Sequence, residues 1–213
     1  MKKLLSLVFI FMFSAAFVYA NDLKGTVYIG ANLSQCFESF SYDEFVSAIG
    51  EDNSSDKTLF GPRYDFVAGF RLGHKLKIEG QYIVISQNSF NTDKADSKIE
   101  YKASAVFANI IYDFWNMDSN FITPFIGIGA GVGSSNLILN YDAIKKDAES
   151  NGFSWQFQGG ATVKLIDWLY VNIKYTYLSL PDTERTLEAN SDYIKSEFKK
   201  GVQAIGVGVT FLL

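Results

Sequence analysis

The segment Ala204-Ile205-Gly206-Val207-Gly208-Val209-Thr210-Phe211-Leu212-Leu213 puts a large apolar side chain at every second position. Between Ile205, Val207, Val209, Phe211 and Leu213 stand small or polar residues, apart from Leu212. Side chains of a strand alternate between its faces, so the pattern predicts a strand with one continuous apolar face and one nearly bare face. Such a strand needs partners on both edges. A closed barrel whose last strand zips to its first provides them.

The same period-two template predicts seven further strands: Leu23 to Ser34, Tyr64 to Gly73, Leu76 to Ile85, Tyr101 to Phe114, Ile122 to Gly133, Phe153 to Leu165 and Leu169 to Leu180. Their connections alternate in kind. Short turns fall around His74, Asn116 to Asn120 and Ile166-Asp167. Long polar connections fall at Gln35 to Arg63, Gln87 to Glu100, Ser134 to Gly152 and Pro181 to Glu197. The fold class expected is all-β, an eight-stranded antiparallel up-and-down transmembrane β-barrel with its long loops at one rim. Pro62, Pro124 and Pro181 all lie at or beyond strand ends, where a missing N–H does least harm.

Glycine narrows the reading of the fifth strand. Gly127, Gly129, Gly131 and Gly133 recur at every second position, opposite Ile126, Ile128, Ala130 and Val132. The spacing fails the G-x-G-x-x-G phosphate loop, and no helix follows. On a strand these glycines form one column, which on an inward face makes room for large side chains from opposite strands.

Alternation alone does not say which face meets the core. A face rich in glycine is odd for a surface in water, and aromatics gather at the predicted strand ends. Phe114, Trp115, Trp168 and Phe211 stand near one rim, and Tyr101, Phe153, Trp155, Tyr175 and Tyr177 near the other. These are the two girdles of a barrel whose apolar face meets lipid.

The N-terminus agrees. Lys2 and Lys3 precede an apolar run from Leu4 to Val18, and Val18-Tyr19-Ala20 offers a cleavage site after Ala20. That predicts a signal peptide over residues 1–20 and a barrel domain over 21–213. The run is shorter than the ~20 residues of a spanning helix. Cleavage would remove two lysines from a chain whose formal charge is already −4, so the balance argues against nucleic acid as a partner. Cys36 is the single cysteine, which excludes a disulfide framework within the chain.

Two segments then carry a resemblance. Thr123 to Gly131 resembles the T-P-Y-x-G-x-G-x-G strand of small bacterial surface antigens, and Asn109 to Phe114 resembles their N-x-x-Y-D-F strand. Gly208, Phe211 and Leu213 are similar to the terminal signal read by the barrel assembly machinery. Gly206 stands where a polar residue is usual, and the final residue is leucine rather than phenylalanine. The chain thus resembles the eight-stranded barrels that include the OmpA transmembrane domain, the Opa-like proteins and the surface antigens. The resemblance implies the bacterial outer membrane, extracellular long loops, periplasmic termini, membrane lipid and the assembly machinery as partners, and a monomer.

Three kinds of function remain to weigh. Resembling barrel enzymes place a catalytic histidine near the extracellular rim, whereas His74 falls in a short turn, so no catalytic residue is assigned. No cofactor or metal site is expected. The acidic run Glu51 to Asp56 lacks the glycine and terminal glutamate of a dedicated calcium loop.

A pore would run through inward positions holding Arg71, Lys77, Glu79, Asp113, Lys164 and Lys174, with Asn109, Gln156, Gln158 and Asn172. Eight strands enclose a lumen that side chains fill, so a paired plug is expected rather than an open channel. The long loops are left as carriers of function. Phe37, Phe40, Tyr42 and Phe45 cluster in the first, on a stretch able to form a short helix, and Asp142 to Glu149 reads as one or two helical turns. The expectation is a surface protein with a structural or host-interaction role, an adhesin or antigen, with a host-cell or matrix ligand. A narrow gated pore is the alternative.

Overall fold

A computed structural model describes residues 26–46, 51–91, 97–117, 119–141, 144–181, 184–189 and 192–213. Side chains are described over 26–37, 60–85, 102–117, 119–136, 149–181 and 201–213. The signal peptide expected over residues 1–20 and the predicted strand start at Leu23 lie outside these residues.

The chain runs through β1 (Thr26–Val46), β2 (Glu51–Leu72), β3 (Leu76–Asn91), β4 (Ser97–Asp113), β5 (Ile122–Tyr141), β6 (Ile144–Ile166), β7 (Leu169–Ser179), β8 (Glu184–Ala189) and β9 (Asp192–Leu212). Each pairs antiparallel with its neighbour, and β9 returns to pair with β1. The closing seam sets Phe211 of β9 between Ile29 of β1 and Leu169 of β7. β7 and β8 both pair with β9, at different heights. They are two pieces of one stave, interrupted at Leu180-Pro181, so the barrel has eight staves.

The hairpin turn between β2 and β3 requires the left-handed backbone conformation at Gly73, whose φ is 66°. The wall then follows from alternation. Outward side chains are apolar and exposed, Ile128 at 63% for example, whereas inward side chains are buried and many of them polar, Asn109 at 0%. This is the reverse of a water-soluble barrel. The exposed apolar band on β5 runs from Ile122 to Val132. About ten residues rising ~3.4 Å each, tilted by ~40°, span roughly the 25 Å of a bilayer's apolar core. One step further, the paired outward positions become Ser104, Ser134 and Asn151.

Aromatic rings mark both edges of this band. Trp168 stacks on Phe211, and Tyr112 meets Phe114 edge-on, at the short-turn end. Trp155 lies against Tyr177 at the other end, where Phe153 is exposed.

Beyond the band the barrel divides. Among the described residues, the β2–β3 ladder stops at Arg63↔Ile85, and the β6–β7 ladder stops at Trp155↔Ser179. All other ladders continue. Two four-stranded sheets result, β8-β9-β1-β2 and β3-β4-β5-β6.

Much of the sequence expected as loop is therefore strand. Phe37, Phe40, Tyr42 and Phe45 lie on β1 rather than on a short helix, and the acidic run Glu51 to Asp56 lies on β2 opposite Ser41 to Val46. Ile144 to Glu149 belongs to β6 and not to helical turns, while Asp142 and Ala143 lie outside the described residues. The physical reason is that past the bilayer both faces meet a polar medium. The apolar alternation fades while the backbone ladder goes on.

Candidate functional site

Period two aims one row of side chains from each stave into the lumen, and glycine decides which of them meet. Gly129 of β5 stands between Asn109 of β4 and Gln156 of β6. Across the missing side chain, Gln156 Nε2 donates to Asn109 Oδ1 at 2.6 Å. Gly69 of β2 separates Tyr28 and Glu79 in the same way. There the Tyr28 hydroxyl donates to Glu79 Oε2 at 3.2 Å. The glycine column thus makes room for large side chains of adjacent staves, rather than of opposite ones as expected.

A methyl at Gly129 would land on the Asn109 carboxamide oxygen. Gly129→Val is accordingly expected to destabilise the folded barrel by about 2–5 kcal/mol, combining overpacking with an orphaned buried amide. A urea unfolding titration in lipid vesicles reads this. Val132→Ile, on the exposed outer face, should shift the midpoint little.

These contacts join one network. Asp65 accepts from Arg63 Nε at 2.6 Å and Nη2 at 3.0 Å, and from Gln81 Nε2 at 3.0 Å. Its other cation is Lys174, 3.0 Å away on β7. Gln81 Oε1 accepts from Asn109 Nδ2 at 2.8 Å and from Gln156 Nε2 at 2.6 Å, and Asn109 Nδ2 also reaches Glu79 Oε1 at 3.2 Å. Side chains of β1, β2, β3, β4, β6 and β7 take part, so the network crosses the whole lumen.

Nearer the short-turn end, Lys77 lies 2.8 Å from Asp113 and over the ring of Phe125. Met117, from the turn after β4, reaches in toward the same ammonium group. On the other side of the network the lumen turns apolar. Cys36, Ile83, Ile85, Phe107, Leu178 and Val202 pack there as one buried cluster.

Arg71, Lys77, Glu79, Asp113 and Lys174 are thus all buried in the lumen, as are Gln156, Gln158 and Asn109. Asn172 is half-buried and donates to Thr210 Oγ1. Lys164 is not part of the network. It stands opposite Tyr170, two residues before the end of β6, and pairs with Asp167 in the turn at 2.8 Å.

Sequence reasoning missed Arg63, Asp65, Gln81 and Tyr28. Counting back by twos from Arg71 reaches Asp65 and Arg63, and the same parity from Glu79 reaches Gln81. Arg63, expected at the end of a long loop, is instead fully buried on β2.

Of the candidate loop contacts, Phe37 packs edge-on against Phe60 across the β1–β2 ladder, with ring centroids 5.5 Å apart. The side chains of Phe40, Tyr42 and Phe45 lie outside the described ones. Of the terminal signal, Gly208 sits between Asn32 and Asn172, Phe211 faces outward on Trp168, and the Leu213 N–H donates to the Val27 carbonyl at 2.9 Å. His74 is exposed in its turn.

A closed antiparallel barrel with an apolar outer belt, aromatic rims and a polar lumen defines a membrane-spanning β-barrel protein. The family model described as the outer membrane protein beta-barrel domain matches residues 5–211. The chain belongs to that family, whose membership supports the bacterial outer membrane as its location.

Solved structures show the same fold. Neisserial surface protein A aligns with a TM-score of 0.55 and 14% identity, over 87% of this chain and 96% of its own. The outer membrane protein OprG from Pseudomonas aeruginosa aligns at 0.55 and 13%, over 88% and 96%. The outer membrane protein AlkL, determined in lipid bilayers, aligns at 0.57 and 13%, over 89% and 90%. No curated protein matches the sequence.

Proposed function

We infer that this chain is a non-enzymatic surface-recognition protein, an adhesin or antigen whose binding elements are the two outer sheets. The observation that carries this reading is the division of the barrel wall beyond the lipid band, above a bonded lumen. The long hairpins face the cell exterior and the short turns the periplasm, with both ends of the barrel domain on the periplasmic side. A rigid scaffold then presents unpaired strand edges and hairpin tips to a host-cell or matrix ligand. The lone histidine in a short turn supports the absence of catalysis.

The reading is tested by replacing residues 38–59, the outer part of the β1–β2 hairpin, with a short Gly-Ser turn. Bacteria displaying this variant are expected to lose attachment to host cells and matrix. The variant should still show the heat-dependent gel mobility of a folded barrel. Undiminished attachment by a correctly inserted variant would count against the reading. A narrow gated pore demands that the Asp65 and Gln81 bonds part. It would show conductance that survives hairpin replacement and changes in Arg71→Ala or Glu79→Ala.

A further inference from the structure

The lumen holds a cavity of about 50 Å³ between the Asp65–Gln81 network and the short turns. One water needs ~10–15 Å³ on the same measure, so the space exceeds a single water site. Among the described residues, Arg71, Lys77 and Lys174 line it, with Glu79 as the only carboxylate in the lining. Arg71, Glu79 and Lys174 are more than nine-tenths buried, and the Lys77 side chain is 11% exposed.

The charge balance of the lumen is uneven. Among the described side chains, the buried cations are Arg63, Arg71, Lys77 and Lys174, and the buried carboxylates are Asp65, Glu79 and Asp113. Asp65 is shared between Arg63 and Lys174, and Asp113 is taken by Lys77. Whichever groups Arg71 engages, one positive charge remains in excess among these described side chains, in a lumen enclosed by lipid. A buried charge of one sign calls for a counter-charge.

The lining also leaves hydrogen-bonding groups to fill. Asn32 is buried and lines the cavity, and its Oδ1 accepts no hydrogen bond. Asn172, on the other side of Gly208, likewise has an unpartnered Oδ1. Water held beside an anion would donate to both oxygens.

We propose that this cavity is a binding site for a small monovalent inorganic anion of halide size, held with its water among Arg71, Lys77 and Lys174. The anion neutralises the lumen and couples the stability of the barrel to the ions of the compartment at its short-turn end. This site is separate from the outer sheets and stands whether or not those sheets bind a ligand.

The test uses the full barrel domain folded in lipid vesicles, with bromide as the probe. Unfolding midpoints are measured in sodium bromide against sodium gluconate at constant ionic strength. Crystals grown in bromide supply the anomalous signal. The expected result is a saturable rise of the midpoint with bromide and an anomalous peak inside the cavity.

Arg71→Gln brings the lumen to neutrality and should abolish both effects. Glu79→Gln adds to the excess and should lower the half-saturating bromide concentration several-fold. That variant keeps the proposal testable if Arg71→Gln does not fold. Lys102→Gln, on the exposed outer wall, should behave as the parent does. A midpoint indifferent to bromide would overturn the proposal, as would an empty cavity in the anomalous map or an unchanged bromide response in both lumen variants.

Discussion

Deleting Phe211 to Leu213 is expected to impair barrel assembly more than replacement of any outer hairpin. The deletion strikes the seam. Leu212 N–H donates to the Trp168 carbonyl at 3.0 Å, and Leu213 N–H donates to the Val27 carbonyl at 2.9 Å. Phe211 pairs with Ile29 and Leu169 and stacks on Trp168. Two ladder bonds at the membrane edge and an aromatic contact go together. A backbone group left unpaired in lipid costs several kcal/mol, and an aromatic pair contributes about 0.5–1.5 kcal/mol beyond its burial. The folded, heat-modifiable species should fall to a minor fraction of the membrane-associated protein. Gel mobility with and without boiling measures it. Normal insertion of the truncated chain would contradict both the role of the seam and the assembly-signal reading.

The second large effect is expected at Asp65. Its carboxylate is shared by Arg63, Lys174 and Gln81, all buried. Asp65→Ala leaves two cations without their partner inside the lumen. Breaking one side of a buried ion pair typically costs about 3–5 kcal/mol, and here a single deletion breaks two. Urea unfolding in vesicles should show the loss. Asp65→Asn is expected to fall between, since it keeps an acceptor for Gln81 but not the charge. Asp167→Ala removes the partner of Lys164 in an exposed turn and should change stability by no more than about 1 kcal/mol. Equal effects at Asp65 and Asp167 would mean that the lumen is far wetter than its bonds indicate.

Where the sequence revealed the structure and where it did not have one cause. Lipid imposes an apolar outer face on every stave, so Ile205 to Leu213 or Ile126 to Val132 announce strand, facing and location together. That constraint ends at the bilayer edge. On β1 past Cys36, and on β6 before Phe153, the ladder continues while the alternation stops. Residues of long hairpins therefore read as loops or helical turns.

The lumen shows the same division. Parity places Arg71, Glu79 and Lys174 inside. It cannot say that Asp65 serves three partners, because those partners come from β2, β3 and β7. Lys164 fails for a local reason: β6 ends two residues later, and Asp167 in the turn pairs with its ammonium group. The glycines came nearest to revealing the contacts. An inward glycine such as Gly69 or Gly129 marks the place where its two neighbouring staves reach across and touch. Tyr28 and Glu79 do so across the first, Asn109 and Gln156 across the second. Strand register, once known, turns that rule into named pairs.

As proposed above, the barrel is a filled scaffold whose activity lies in the outer sheets. Single-channel recording of the purified, folded protein in a planar bilayer tests this most directly. No steady conductance above the bare bilayer is expected, because the network from Arg63 to Gln156 and the apolar cluster beside it both close the lumen. Large, stable open states that persist after replacement of the outer hairpins would contradict it.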